Sequence, residues 1–347
     1  MQRQDGVRRR FTVVVAVLAA FCAANARADE PEPPPVPAVF AAYVTPVAEP
    51  WNAVIHAALT EAEKAGRIRY AWKDALDTAE KQLDALEAAA AEKPAIIVAD
   101  AADAADEIAA LARKHPRIAF LLGGPDEPQP PNVSTFDSNL AEPAYLCGLV
   151  AGKMTKSNVV GVVAGKHDAD VHRTVNAFLA GVREANPAVK AKVTFIDAWF
   201  DPPKARAAAL AQVAAGADAI FAERAGAIAA AKETGVLAFG DMVDQHEEAP
   251  DHVVTGTLWN MRPVVDHAIA RAAAGEVMAE DLGRFCTLAK GGVALAPWHG
   301  WEKKLPAAVL DLVEEKRAAL AAGTLKLDVL TEEPPAGDPP AAPEKRE

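Results

Sequence analysis

The sequence lacks several features that mark particular classes of protein. Only three cysteines occur among 347 residues, and no Cys-x-x-Cys pair is present. The formal net charge is -12, and no Lys/Arg cluster follows the first residues. A nucleic-acid partner is therefore disfavoured, because phosphate binding needs a basic surface.

Common catalytic motifs are also missing. There is no Gly-x-Ser-x-Gly elbow for a serine nucleophile and no His-Glu-x-x-His helix for zinc. Residues 148–153 and 161–166 resemble phosphate loops, but both are one residue short between the glycines and lack the Ser or Thr that holds magnesium. We therefore predict no enzymatic activity and no cofactor.

The first residues have the layout of a secretory signal. Arg8 to Arg10 precede an apolar run over residues 11–24, which is short for a membrane span, and Ala26 and Ala28 are small residues at the cleavage positions. We predict a signal peptide over residues 1–28 and export to the periplasm. Lipidation at Cys22 is the alternative, although the bulky Phe21 precedes it.

Regular alternation follows a Pro/Glu-rich linker over residues 29–37 and precedes a tail over residues 331–347 that we expect to be disordered. Short apolar runs suit buried strands at residues 38–44, 68–72, 95–99, 118–122, 159–163, 192–196, 217–222, 236–239 and 253–258. Ala-rich amphipathic helices begin near Trp51, Leu76, Ala104, Leu140, Asp170, Pro203, Gly226 and Arg262.

This alternation predicts an α/β protein with parallel sheets covered on both faces. The strands are too many for one tidy sheet, so we predict two lobes with a break near residues 142–152. The first lobe comprises residues 38–140 and about 258–300, and the second comprises residues 141–257 and about 301–325. Ligands of such sheets bind beyond the carboxyl ends of the strands, where carboxylates and aromatic residues are frequent here.

Cysteine pairing and metal binding each leave two interpretations open. After processing, Cys147 and Cys286 remain, and they either pair or stay as separate buried thiols. The segment from His167 to His172 carries two imidazoles and two carboxylates, which could ligate a divalent ion. Its other interpretation is a helix start capped by Asp168 or Asp170.

Aromatic residues beside the predicted strand ends are candidates for ligand stacking. Trp51 begins the first helix next to Asn52, and Trp199-Phe200-Asp201-Pro202 follows another strand. Each tryptophan could instead be a core residue, and Asp201 could be a helix cap. Asp244 follows a strand and can accept two hydroxyl hydrogen bonds.

Three segments together resemble the basic membrane lipoprotein family, the purine-nucleoside-receptor-like solute-binding proteins of ABC importers. The first segment runs from Pro131-Asn-Val-Ser-Thr-Phe136 to Tyr145-Leu-Cys-Gly148-Leu-Val-Ala-Gly-Lys-Met-Thr-Lys156. The second joins Asn176-Ala-Phe178 to Trp199-Phe200-Asp201-Pro202, and the third joins Gly216-Ala-Asp-Ala-Ile220 to Gly292-Val-Ala-Leu-Ala-Pro297. The order and spacing hold over roughly residues 38 to 325.

The resemblance implies a type I periplasmic-binding-protein fold, in which two Rossmann-like lobes close around a ligand by hinge motion. It implies a monomeric binding component that delivers a purine nucleoside or base to an ABC permease in the inner membrane. Trp51 and Asn52 match the family's aromatic-Asn pair, Phe200 the aromatic that stacks on the base, and Asp244 the acid that holds the ribose hydroxyls.

The chain departs from the family at the predicted pocket. Asp100-Ala-Ala-Asp103 replaces a Ser-Phe-Gly-Tyr segment, and Lys166, His167 and Asp168 stand where relatives are mostly apolar. A sensor or scavenger of another polar or cationic solute, using Asp100, Asp103, Asp241 and Asp244, is therefore an alternative, as is the metal site at His167–His172. The predicted ligand-binding residues are Trp51, Asn52, Asp100, His167, Asp168, Phe200, Asp241, Asp244 and Trp259.

Overall fold

The computed structural model describes residues 36–101, 104–124, 127–328 and 330–334. The predicted signal peptide, most of the predicted linker, Asp103 and residues 335–347 of the predicted tail lie outside the described residues.

Two sheets make up the centre of the described chain. The first has the order β2-β1-β3-β4-β5 and is parallel throughout. Its strands are β1 (Ala38–Ala42), β2 (Arg69–Lys73), β3 (Ile96–Asp100), β4 (Ala119–Gly123) and β5 (Val133–Phe136).

The second sheet has the order β11-β10-β9-β8-β6-β7 and is parallel except where β11 pairs with β10. Its strands are β6 (Val159–Ala164), β7 (Lys190–Phe195), β8 (Ala219–Ala222), β9 (Leu237–Gly240), β10 (Val253–Trp259) and β11 (Val293–Leu295).

Helices connect most of the successive strands, and β4 and β5 are an exception, since the described residues between them form no helix. The helices are α1 (Pro50–Lys64), α2 (Ala79–Ala91), α3 (Ala105–Lys114), α4 (Ala141–Met154), α5 (Ala169–Ala185), α6 (Pro202–Ala214), α7 (Ala227–Thr234), α8 (Arg262–Ala273) and α9 (Ala307–Ala321). The predicted α/β class is confirmed, and each predicted strand and helix occurs within three residues of its expected position.

Three elements were not predicted. The strand β5 is only four residues long and its two central residues, Ser134 and Thr135, are polar, and β11 has only three residues. The last helix, α9, carries charged residues over much of its surface and buries only Val309, Val313 and Leu320. Weak hydrophobic periodicity explains each omission.

The chain passes between the two sheets three times. It crosses after β5, returns after β10 so that Val264 and Val265 of α8 pack into the core of the first sheet, and crosses again before β11. Val309 and Val313 of α9 pack into the core of the second sheet. The lobe boundaries given above stay a prediction.

Two further expectations concern buried thiols and the start of the tail. Cys147 and Cys286 are both free and buried, so they do not pair. Residues 331–334, which we expected to be disordered, lie against α5, where the Thr331 carbonyl oxygen accepts a hydrogen bond from His172 Nδ1 at 3.0 Å. Within the described residues, no helix has both the length and the hydrophobicity that a bilayer span requires.

Close packing of α4 against α5 depends on glycine. A Cβ atom at Gly148 would overlap the Phe178 carbonyl oxygen, and one at Gly181 would overlap the Tyr145 carbonyl oxygen. The two backbones therefore touch without intervening side chains, which joins the two helices at the centre of the larger core.

We expect Gly148→Ala to lower the free energy of unfolding by about 1–3 kcal/mol, because overpacking outweighs the better helix propensity of alanine. Urea denaturation measures the change. Ala180→Ser, on the exposed face of α5, is the matched control and should stay within about 0.5 kcal/mol of the unmodified protein. A Gly148→Ala protein as stable as the original would contradict the close packing.

Candidate functional site

A cavity of about 400 Å³ lies where strands of both sheets end. Its lining follows the carboxyl ends of the parallel strands, the position at which open α/β sheets bind ligands. Lining residues at or after the ends of strands of the first sheet include Thr45, Asp100 and Gly123. Those that follow strands of the second sheet include Lys166, Trp199, Glu223, Arg224 and Asp241.

An indole from α1 forms one wall of the cavity. Trp51 donates from Nε1 to Asp100 Oδ1 at 2.7 Å and packs against Trp259 with ring centroids 4.6 Å apart. Phe136 stacks on the other members of this aromatic group. Gly123 leaves room for the ring, because a Cβ there would lie 2.8 Å from Trp51 Cζ2.

The N-cap and the first turn of α1 contribute two buried polar side chains. Glu49 caps the helix, accepting a hydrogen bond from the Asn52 amide. Asn52 donates from Nδ2 to Thr45 Oγ1 at 2.7 Å, and its Oδ1 atom is buried with no partner within the described residues. Asn52 therefore fixes the first loop and keeps one acceptor unused.

A buried ionic group joins the two sides of the cavity. Arg224, which follows β8, pairs with Glu223 at 2.8 Å and with Glu49 at 3.7 Å. Glu223 also accepts a hydrogen bond from the Gly165 amide at 2.9 Å. Since all three charged side chains are at most 8% exposed, little solvent screens their interaction.

Asp241 lies at the end of β9 and is 3% exposed. The Thr257 hydroxyl donates to its Oδ1 at 2.7 Å, and its Oδ2 atom is buried without a partner within the described residues. Like Asn52, it retains an unused acceptor in a residue that lines the cavity.

Burial raises the pKa of these carboxyl groups. It raises the pKa of Asp100 to about 6, against the hydrogen bond from Trp51, and the pKa of Glu49 to about 7, against the charge of Arg224. It raises the pKa of Asp241 to about 7, and the pKa of Glu223 also rises. Clustered groups with raised pKa values are characteristic of binding sites.

A second indole, Trp199, lines the cavity after β7. Two cations lie near its ring: Lys166 Nζ is 5.4 Å and the Arg224 guanidinium carbon 5.2 Å from the ring centroid. Both distances are in the range of cation–π attraction.

The segment from His167 to His172 does not form a metal site. Asp168 caps α5, Asp170 accepts from Arg173 Nη2 at 2.8 Å, and His167 stacks on Phe195. Because each group has another partner, no set of three His, Cys, Asp or Glu side chains within the described residues could hold a metal ion.

Six of the nine predicted site residues line the cavity, namely Trp51, Asn52, Asp100, His167, Asp168 and Asp241. Their roles in binding stay predictions.

Three predicted residues lie outside the lining. Phe200 is 41% exposed, because the neighbouring Trp199 occupies the inward position. Asp244 Oδ2 is 2.6 Å from His299 Nε2, which holds the side chain outside the cavity. Trp259 is 5% exposed and supports Trp51 from behind.

Fifteen lining residues were not among the predicted site residues, and five of them make the ionic and aromatic contacts described above: Glu49, Lys166, Trp199, Glu223 and Arg224. All five follow strands, so their position in the sequence was the available signal. Nothing in the sequence revealed that Glu49 and Arg224 would meet.

Comparison with solved structures agrees with the fold class. An ABC transporter solute-binding protein from Aeropyrum pernix superposes with a TM-score of 0.71 at 18% sequence identity, covering 86% of this chain and 94% of that one. The chain therefore has the type I periplasmic-binding-protein fold.

The sequence model of the family described as ABC transporter substrate-binding protein PnrA-like matches residues 47–320. The chain belongs to this family, which confirms the resemblance. The family and the structural neighbour are solute-binding proteins and not enzymes.

Two relatives carry different ligand names. A purine-binding protein of Brucella abortus is 28% identical over 196 residues, which cover 56% of this chain and 54% of that protein. A Haloferax volcanii protein with the provisional name ABC transporter glucose-binding protein is 34% identical over 131 residues, covering 37% of this chain and 34% of that protein. The chain thus spans about half or less of the length of these relatives.

The raised pKa of Asp241 has a consequence for stability. Between about pH 4 and pH 7 the folded protein holds a proton on Asp241 that the unfolded chain has lost, so this contribution to stability is present at low pH and disappears as the pH rises through about 7. Asp241→Asn keeps an oxygen for the Thr257 hydroxyl but carries no charge.

We expect Asp241→Asn to gain stability relative to the unmodified protein between pH 5 and pH 8, by more than about 1.4 kcal/mol, the equivalent of one pKa unit. Urea denaturation at both pH values measures the difference. Asp84→Asn, at an exposed position of α2, should show no such gain. Parallel pH profiles for the Asp241→Asn and unmodified proteins would contradict the buried, proton-binding carboxyl group.

Proposed function

We propose that the protein is the periplasmic binding component of an ABC importer and holds a purine nucleoside or base in the cavity. The observation that carries this proposal is the pair of indoles, Trp51 and Trp199, that line one cavity from the two sides of the cleft. Planar rings stack on indoles, and the volume of about 400 Å³ is in the range of small-molecule sites.

The unused acceptors support a ligand with several hydrogen-bond donors. Asn52 Oδ1 and Asp241 Oδ2 are buried without a partner in the described residues, and leaving such atoms unpaired is costly. The hydroxyl groups of a ribose or the N–H groups of a purine base are donors of the required kind. The purine-binding relative from Brucella abortus is consistent with this ligand class.

A hexose or another polar solute is the second candidate. Glu223, Arg224 and Asp241 form the kind of charged, hydrogen-bonding surface that also suits sugar hydroxyls, and the name of the Haloferax volcanii relative points the same way. The cationic alternative has less support, since Arg224 and Lys166 also line the cavity and Asp100 already accepts from Trp51.

Delivery to a membrane permease follows from the family rather than from the cavity. Substrate-binding proteins of ABC importers act outside the plasma membrane, free or lipid-anchored. We propose that this chain acts as a free, periplasmic monomer whose lobes close around the ligand and present a surface to the permease.

Calorimetric titration of the purified protein with inosine, guanosine, adenosine, hypoxanthine, glucose and a polyamine tests the ligand class. Saturable binding of purines and not of glucose would support the proposal. Binding of glucose alone would favour the second candidate, and binding of the polyamine alone would favour the cationic alternative.

We expect Trp199→Ala to weaken purine binding about tenfold or more, because stacking of a base on an aromatic ring contributes about 1–3 kcal/mol. Phe200→Ala tests the competing assignment made from the family resemblance, since Phe200 is the adjacent residue and is exposed. Trp72→Ala, at the edge of the first sheet, is the matched control for loss of an indole. A larger loss with Phe200→Ala than with Trp199→Ala would reverse the assignment.

A further inference from the structure

We propose that Lys166 makes the Trp199 end of the cavity a hydrogen-bond donor and thereby selects purines with a carbonyl group at position 6 over those with an amino group. This inference rests on the proposed function and specifies the ligand class further.

Lys166 lies beside Trp199 at one end of the cavity. It follows β6, is half-buried and lines the cavity, where its ammonium group lies 5.4 Å from the centre of the Trp199 ring. No carboxylate of the described residues forms an ion pair with it. The N–H donors of its side chain are therefore available to an acceptor in the cavity.

Arg224 is a second cation at the Trp199 end of the cavity, but unlike Lys166 it has carboxylate partners. Its two terminal nitrogens pair with Glu223 and Glu49, whereas Nε is buried without a partner within the described residues. The guanidinium carbon lies 5.2 Å from the centre of the same indole. Two cationic side chains thus lie near Trp199. Arg224 pairs with two carboxylates, whereas Lys166 forms no ion pair within the described residues.

Acceptors are supplied by other lining residues. Asn52 Oδ1 and Asp241 Oδ2 have no partner within the described residues, so the cavity offers donors beside Trp199 and acceptors elsewhere. A 6-oxopurine nucleoside has a carbonyl oxygen at one edge of its ring and hydroxyl donors on its ribose, which match these two sets. A purine with an amino group at position 6 would place its N–H donors next to the ammonium group of Lys166. Neither the amino group nor the ammonium group would then have an acceptor at that position.

Inosine and adenosine provide a close test, because both carry the same ribose and differ around position 6. We expect the unmodified protein to bind inosine at least tenfold more tightly than adenosine, since a hydrogen bond to a charged donor is lost with adenosine. Lys166→Met should weaken inosine binding about tenfold or more and change adenosine binding less than threefold. Lys166→Arg should retain the preference for inosine.

Calorimetric titration at constant pH gives the dissociation constants of inosine and adenosine for each variant. Lys232→Met is the matched control, because Lys232 is an exposed lysine on α7, and thermal unfolding of each variant checks the fold. Equal affinity of the unmodified protein for the two nucleosides, or equal weakening of both by Lys166→Met, would overturn the role of Lys166 while leaving purine binding intact. An unmodified protein that binds neither nucleoside and does not bind hypoxanthine would overturn the proposed function itself.

Discussion

The buried pairing of Arg224 with Glu223 and Glu49 is the interaction on which the arrangement of the cavity depends. Glu49 caps the helix that carries Trp51, and Glu223 is held by the amide of Gly165, one residue before Lys166. Arg224 joins these two segments and lies over Trp199. Removing Arg224 would leave two buried carboxyl groups without their counter-ion, which costs several kcal/mol.

The carboxyl groups around Arg224 outnumber the cations, and their raised pKa values express that excess. Glu49, Asp100, Glu223 and Asp241 are all shielded from water, and burial is the largest cause of each shift. Buried ionisable groups lower the free energy of unfolding, and proteins generally retain them at sites where they serve binding. A ligand that donates hydrogen bonds would reduce this cost.

The fold could be predicted from the sequence because hydrophobic periodicity is a local signal. Buried parallel strands such as Ile96–Asp100 are short apolar runs, and the Ala-rich helices between them keep their period over ten or more residues. The strands β5 and β11 are too short or too polar for that signal, so only their pairing with neighbours defines them.

The location of the cavity could be predicted from the sequence, but the set of side chains that line it could not. Residues that follow strands are a reliable set of candidates, and Trp51, Asp100 and Asp241 came from it. Trp199 and Phe200 are adjacent, and no pattern in the loop indicates which of them turns inward. The pairing of Glu49 with Arg224 spans 175 positions and depends on how two lobes meet, which local patterns do not encode.

The contacts of Asp100 and Lys166 change the interpretation that the sequence suggested for them. Asp100 suggested a site for a cationic solute, but its Oδ1 accepts from the Trp51 indole and its Oδ2 from the Val44 amide. The main effect of this carboxyl group is therefore to orient the indole of Trp51. Both of its oxygens already accept hydrogen bonds, so it offers little to a cationic ligand. Lys166, in contrast, has no counter-ion among the described residues, so the charge that changes what the cavity selects is positive. One lysine without a counter-ion among the described residues can thus change the ligand that this fold selects. A charge that has no partner interacts more strongly with a ligand than charges that are already paired with each other.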